Sequence, residues 1–243
     1  MEGSDLLAVI GWKRGHSTSL DLRSSAPSGL AQLLHQQERL EDLLELLLDG
    51  VDLGGSTAAL TAITQAAVND RMRSLRLLSL SGTRMNSLPP ALALRSLVVL
   101  KLECNNLVKL PEALCSRFSS LEELWLGCNQ LRALPSGIGA LRHLRELWAD
   151  DNLLEVLPRS IGSLVELEAL SLASNRLGAR LIAGGEECCF PPSFCQLDGL
   201  RRLWIRDNQL QHVRCLSPPP RPGAHAIETH ARRCHGPSST CPC

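Results

Sequence analysis

Six stretches of this sequence share one spacing of apolar residues, L-x-x-L-x-L-x-x-N-x-L. They begin at Leu75, Leu97, Leu121, Leu144, Leu167 and Leu200, so the starts lie 22, 24, 23, 23 and 33 residues apart. Asn105, Asn129, Asn152, Asn175 and Asn208 hold the asparagine position in five units, and Thr83 holds it in the first. A period of this length means a stack of small units, none of which can bury its apolar face alone. In the L-x-L core two residues point inward and the middle one points out, as a strand requires. The asparagine falls where the chain leaves the strand, and its amide can bond backbone groups that would otherwise be buried unpaired. Its role is structural.

The second half of each unit reads L-P-x-x-I/L, as in Leu110-Pro111 with Leu114, Leu134-Pro135 with Ile138, and Leu157-Pro158 with Ile161. Proline ends strand pairing and opens a short turn or helix on the opposite face. Phe190-Pro191 with Phe194 restores this register after an insertion over residues 178–189, which is expected to be a surface loop. The pattern resembles the intracellular leucine-rich-repeat proteins with a 23-residue "LP" repeat, a group that includes the plant intracellular Ras-group proteins, Ras-binding scaffolds and the Scribble/Erbin class. The resemblance implies an α/β fold, a leucine-rich-repeat solenoid with a curved parallel sheet on its concave face and short turns or helices on its convex face. It also implies a scaffold that binds other proteins in signalling.

The expected organisation has four parts. Residues 1–26 read as a flexible segment. Residues 27–74 read as an N-terminal helical cap. Residues 75–215 form the repeat domain, and residues 216–243 form a disordered Pro/Cys/His tail. Within the cap, Leu30, Leu33, Leu34, Leu40, Leu43, Leu44 and Leu47 have helical spacing from Pro27 to the stop at Gly50, with Ser28 as N-cap. A second helix is expected over Thr57 to Val68. An alternative reading of 46–67 is one degenerate ankyrin-like unit. After Val213 no L-P turn appears, so the last repeat lacks the polar cap that a terminal repeat needs.

Lys and Arg total 25 and balance the 25 Asp and Glu, which gives no global pull toward nucleic acid. No run of apolar residues is long enough for a membrane span. Glu2 and Asp5 precede only a short apolar run, so no secretory leader is expected. Of ten cysteines none precedes Cys104, and extracellular repeat domains usually staple their ends with clustered cysteines. Reduced thiols in a cytoplasmic protein are therefore expected. The tail carries His225, His230, Cys234, His235, Cys241 and Cys243, but without the paired spacing of a zinc site. No nucleotide-binding, metalloprotease or hydrolase signature occurs. No catalytic residue, metal or cofactor is expected.

The outward residues of L-x-L carry the functional signal. In order they are Ser79, Lys101, Trp125, Trp148, Ser171 and Trp204. Aromatics make up only 3% of the chain, and three of its four tryptophans stand in this row. Keeping Trp in water forgoes about 2–3 kcal/mol of burial, and Trp is enriched at binding hot spots. Such side chains either stack on one another or receive a partner. Glu123, Glu146 and Asp150 lie beside the first two, and Arg202 and Arg206 beside the third. This surface suits a protein partner such as a basic segment or a small GTPase, through charge pairing and cation–π contact. A protein-interaction scaffold is thus the expected function. The alternative is a regulatory fragment of a larger leucine-rich-repeat kinase or GTPase.

Overall fold

The computed structural model describes residues 18–23, 26–36, 40–178 and 190–210. Among the described residues, eight short parallel strands form one sheet in chain order. They are β1 Ser19–Asp21, β2 Glu45–Leu47, β3 Leu77–Ser79, β4 Val99–Lys101, β5 Glu123–Trp125, β6 Glu146–Trp148, β7 Ala169–Ser171 and β8 Arg202–Trp204. Among the described residues there are three α-helices, α1 Pro27–Gln36, α2 Thr57–Val68 and α3 Leu114–Arg117. On the same convex side, 3-10 turns cover Ile138–Ala140, Arg159–Ser163 and Pro192–Gln196. The expected solenoid is the observed fold.

Each strand is short because the repeat ends it. The inward leucines Leu78, Leu100, Leu124, Leu147, Leu170 and Leu203 are fully buried in one continuous core. Burying each such side chain contributes roughly 1.5–3 kcal/mol. The chain then turns through a left-handed residue just before the asparagine position. Gly50, Gly82, Cys104, Cys128, Asp151, Ser174 and Asp207 all have φ between 50° and 75°. Glycine serves where the next residue is Val51 or Thr83, and elsewhere a side chain is held there at a cost of about 1 kcal/mol.

What holds that turn is the asparagine. The Asn129 amide donates to the Leu102, Leu126 and Gly127 carbonyls at 2.9, 3.0 and 3.2 Å, and its Oδ1 accepts from the Leu107 N–H at 3.0 Å. Asn105, Asn152, Asn175 and Asn208 repeat this arrangement on their own neighbours. Thr83 opens the ladder by donating to the Leu80 carbonyl and to Asn105 Oδ1. The convex turns stack as closely. A Cβ on Gly162 would lie 2.1 Å from the Ser193 carbonyl oxygen, so only glycine fits.

The N-terminal region departs from expectation. The helix expected from Pro27 to Gly50 stops at Gln36. A 3-10 turn at Leu40–Asp42 and then β2 follow. Leu43, Leu46, Leu48 and Leu53 occupy the repeat's leucine positions and are buried, with Val51 at the asparagine position. Leu40, Leu43, Leu44 and Leu47 do have helical spacing, but pairing wins. The strand bonds its neighbour through Arg76 N–H to Leu44 O and Leu48 N–H to Ser79 O. The ankyrin-like alternative fails for the same reason, since Leu46 to Asp52 are strand and turn of this sheet. Within the segment expected to be flexible, β1 pairs with β2 and buries Leu20 and Leu22. The second helix stands as expected. Ser56 caps α2 by accepting from the Ala59 N–H, and Ala59, Ala62, Ile63, Ala66 and Ala67 face the core.

Past the insertion, Phe190 and Phe194 meet edge to face with ring centroids 4.8 Å apart, and both are buried. β8 pairs with β7 in register despite the added residues. The insertion beyond Gly178 and the 216–243 tail lie outside the described residues.

Replacing Asn129 with Ala strands one buried N–H and three carbonyls across two repeats. We expect a loss of about 2–4 kcal/mol in urea denaturation, with far-UV circular dichroism retained at low denaturant. A loss below ~0.5 kcal/mol would contradict the ladder's role.

Candidate functional site

Parallel in-register pairing sets the outward side chains in rows. Lys101 faces Trp125, Trp125 faces Trp148, Trp148 faces Ser171 and Ser171 faces Trp204. Neighbouring strands lie about 4.8 Å apart, close to the thickness of stacked rings. Trp125 and Trp148 accordingly stack, with centroids 5.0 Å apart and planes 14° from parallel. Trp148 and Trp204 also lie 5.0 Å apart, tilted by 30°. Those two residues are separated by a whole strand, so they must lean together across β7.

Strand β7 permits this because its concave side is bare. Ala169 and Ser171, with Ala173 just beyond, are all small and buried. Over Ser171 the two indoles close. Over Ala169 the Arg202 guanidinium donates to Glu146 Oε1 at 2.9 Å. Over Ala173 nothing closes, and a depression of about 340 Å³ remains. Glu103, Trp125, Trp148, Asp150, Trp204 and Arg206 are among its lining residues.

The polar neighbours are partly committed to the tryptophans. The Trp125 indole N–H donates to Glu123 at 3.1 Å, and that of Trp148 donates to Glu146 at 3.0 Å. The Lys101 ammonium lies 5.2 Å from the Trp125 ring centre, and the Arg202 guanidinium lies 5.9 Å from that of Trp204. The aromatic row is therefore capped by a cation at each end. The expected split of charge, acidic in the middle and basic at the C-terminal end, is blunted by the Arg202–Glu146 pair. Arg145 lies near Glu122 and Glu168, and Arg201 near Glu168, in a further row of exposed contacts at 3.8–4.0 Å. Such contacts contribute little individually.

Of the sequence-predicted residues, Trp125, Trp148, Trp204, Asp150 and Arg206 share the depression. Lys101, Glu123, Glu146 and Arg202 support the aromatic row from its ends and side. Two acidic residues escaped sequence reasoning. Glu103 lines the depression, and Asp49 accepts from the Ser79 hydroxyl and the Ser81 N–H. Both sit two residues beyond the outward position of L-x-L, in a third row that the central residues overshadow. Burial pushes the Glu103 carboxyl above its ordinary range. Lys101 opposes that shift, while Asp150 and Asp49 add to it. In the run Asp150-Asp151-Asn152, Asn152 belongs to the ladder and Asp151 is exposed, while Asp150 is half-buried at the depression. Among the described residues no three His, Cys, Asp or Glu side chains gather for a metal, and no helix is long and apolar enough to cross a membrane. The tail's His and Cys residues fall outside the described residues.

A family model for the leucine-rich repeat matches residues 95–154. No curated protein matches the chain. Among solved structures, 298 chains match, so the likeness marks a widespread fold. One is the leucine-rich-repeat ectodomain of the plant membrane receptor kinase GASSHO1/SCHENGEN3 from Arabidopsis thaliana, in complex with CASPARIAN STRIP INTEGRITY FACTOR 2. It is 27% identical with a TM-score of 0.57 over 78% of this chain and 21% of that one. This chain thus spans about a fifth of that ectodomain's length.

Two outcomes test this geometry. Ser171→Leu puts a branched side chain where Trp148 and Trp204 meet. It should abolish the near-UV circular dichroism of their contact while leaving the far-UV spectrum unchanged; an unaltered near-UV spectrum would contradict the bridge across β7. Glu103 has a raised folded-state pKa, so the folded state binds more protons and stability falls as pH rises through that window. Glu103→Gln should therefore raise the urea midpoint at about pH 7 and leave it unchanged near pH 3, where both side chains are neutral. A midpoint lowered at neutral pH would reverse that reading.

Proposed function

We propose that this leucine-rich-repeat protein is a non-catalytic scaffold or adaptor that captures a protein partner on its concave face, in intracellular signalling. The carrying observation is the row of Trp125, Trp148 and Trp204. It is half-buried, stacked, and set beside an open depression with carboxylates at its rim. Rigid aromatic side chains give contact area at little entropic cost, because their conformations are already fixed before binding.

The partner's chemistry follows from the rim. Glu103, Asp150 and Asp151 outnumber Arg206 among its lining residues, which favours a basic segment of a protein partner. A small GTPase presenting such a segment fits the same description. The similar receptor-kinase ectodomain, seen in complex with CASPARIAN STRIP INTEGRITY FACTOR 2, supports protein binding by this fold. That it is one part of a kinase keeps a second reading in view, a recognition fragment of a larger leucine-rich-repeat kinase or GTPase.

For location we propose the cytoplasm. Cys115 is buried, and burial pushes its thiol up to about 11, so it behaves as a core side chain. Cys195 is an exposed free thiol. Both are consistent with a reducing compartment.

Trp125→Ala combined with Trp148→Ala should reduce capture of the cellular partner by about tenfold or more, as loss of two hot-spot residues implies. Quantitative affinity purification with the full chain measures it, with far-UV circular dichroism confirming the solenoid. Undiminished capture by a folded double variant would exclude the concave face.

A further inference from the structure

The third outward row runs Asp49, Ser81, Glu103, Gly127, Asp150, Ala173 and Arg206 across the sheet from β2 to β8. Its small members sit between charged ones. Gly127 separates Glu103 from Asp150, and Ala173 separates Asp150 from Arg206. A Cβ built on Gly127 would lie 3.3 Å from Asp150 Oδ2, so the Asp150 carboxylate leans over the space that glycine leaves. Glu103 lies on the opposite side. The two carboxylates repel, since Asp150 raises the Glu103 pKa. Trp125 and Trp148 form the wall alongside.

We propose that the notch over Gly127 receives one arginine of an extended partner segment, and that an acidic residue four positions along that segment meets Arg206. This rests on the concave-face reading and narrows it to two anchors. A cation between Glu103 and Asp150 replaces repulsion with two attractions. Lys101 opposes the incoming charge, but Glu103, Asp150 and Asp151 outweigh it. A planar guanidinium can bond both carboxylates at once, which a lysine ammonium cannot do as well. At the other end, Arg206 is exposed and its contact with Asp207 is 3.9 Å long, so it can be redirected.

The spacing follows from the sheet. Gly127 and Arg206 are three strands apart, roughly 14 Å at about 4.8 Å per strand. A segment crossing the strands rises about 3.4 Å per residue, so four residues cover that distance. Residues four apart in an extended chain also point to the same face. The bare Ala173 between the anchors leaves room for the residue midway.

The test uses the full chain and a blocked peptide, acetyl-Gly-Arg-Gly-Ser-Gly-Glu-Gly-amide, followed by intrinsic Trp fluorescence at low salt. Saturable binding with a Kd on the order of 1 mM is expected from a bidentate arginine between two carboxylates and one exposed charge pair. Replacing Arg by citrulline should weaken it about tenfold, Lys should bind less well than Arg, and moving Glu by one position should lose part of the affinity. Gly127→Leu fills the notch and should abolish binding. Gly127→Ala meets only a movable carboxylate and should reduce it in a protein whose fold is unperturbed. Equal binding of the arginine and citrulline peptides, binding unaffected by Gly127→Ala and Gly127→Leu, or no saturation at all overturns the proposal. If Trp125→Ala with Trp148→Ala loses the cellular partner while Gly127→Leu keeps it, the concave face stands and the arginine notch falls.

Discussion

The side-chain amide of one asparagine per repeat holds the rest of this structure in place. Asn129 bonds carbonyls of its own unit and of the unit before, and accepts from an N–H of that earlier unit. It therefore fixes both the turn that ends a strand and the offset between adjacent strands. Because the offset is zero along the sheet, equivalent residues face one another from β1 to β8. The rows on the concave face are a by-product of this register. Without it, side chains at the outward position could not meet at stacking distance.

The fold was legible where that residue is present, and in the first unit, where Thr83 takes its place. Five asparagines and the leucines between them define strands that the structure reproduces. Two earlier units were not legible, and the reason is physical. Val51 stands at the asparagine position in one, where it can make none of the amide bonds, and Gly50 supplies the left-handed turn instead. The convex element there is the full helix α2, which stretches the unit well beyond the usual period. The leucines Leu43, Leu46, Leu48 and Leu53 keep the repeat spacing, yet Leu40, Leu43, Leu44 and Leu47 also fit a helix. Periodicity alone cannot choose between two patterns that share members. Hydrogen bonding to β3 decides it, and that is a long-range fact.

The candidate site shows a different limit. The outward tryptophans could be read from the repeat, residue by residue. Their contact could not, since Trp148 and Trp204 lie two strands apart and meet only because β7 presents Ala169 and Ser171. Reading it required attention to what the intervening strand lacks. The same strand lets Arg202 reach Glu146, so two charges that look separate in sequence cancel in space. Glu103 was missed because what marks it, its burial and the charges of Asp150 and Asp49 from other repeats, is set by the stacking of repeats and not by spacing.

The stack changes what the tryptophans can contribute to recognition. Two of the indole N–H groups are already bonded to glutamates, and the outer ring faces lie under Lys101 and Arg202. A partner thus meets ring edges and a rigid apolar wall. This row is ordered by stacking and by its indole hydrogen bonds, so in the proposed role it would give contact without selecting strongly for sequence. Selection must then come from the row beside it, where charged and small residues alternate. In the proposed reading, the division between an aromatic wall for contact and a third row for choice follows from register, and register follows from the asparagine ladder.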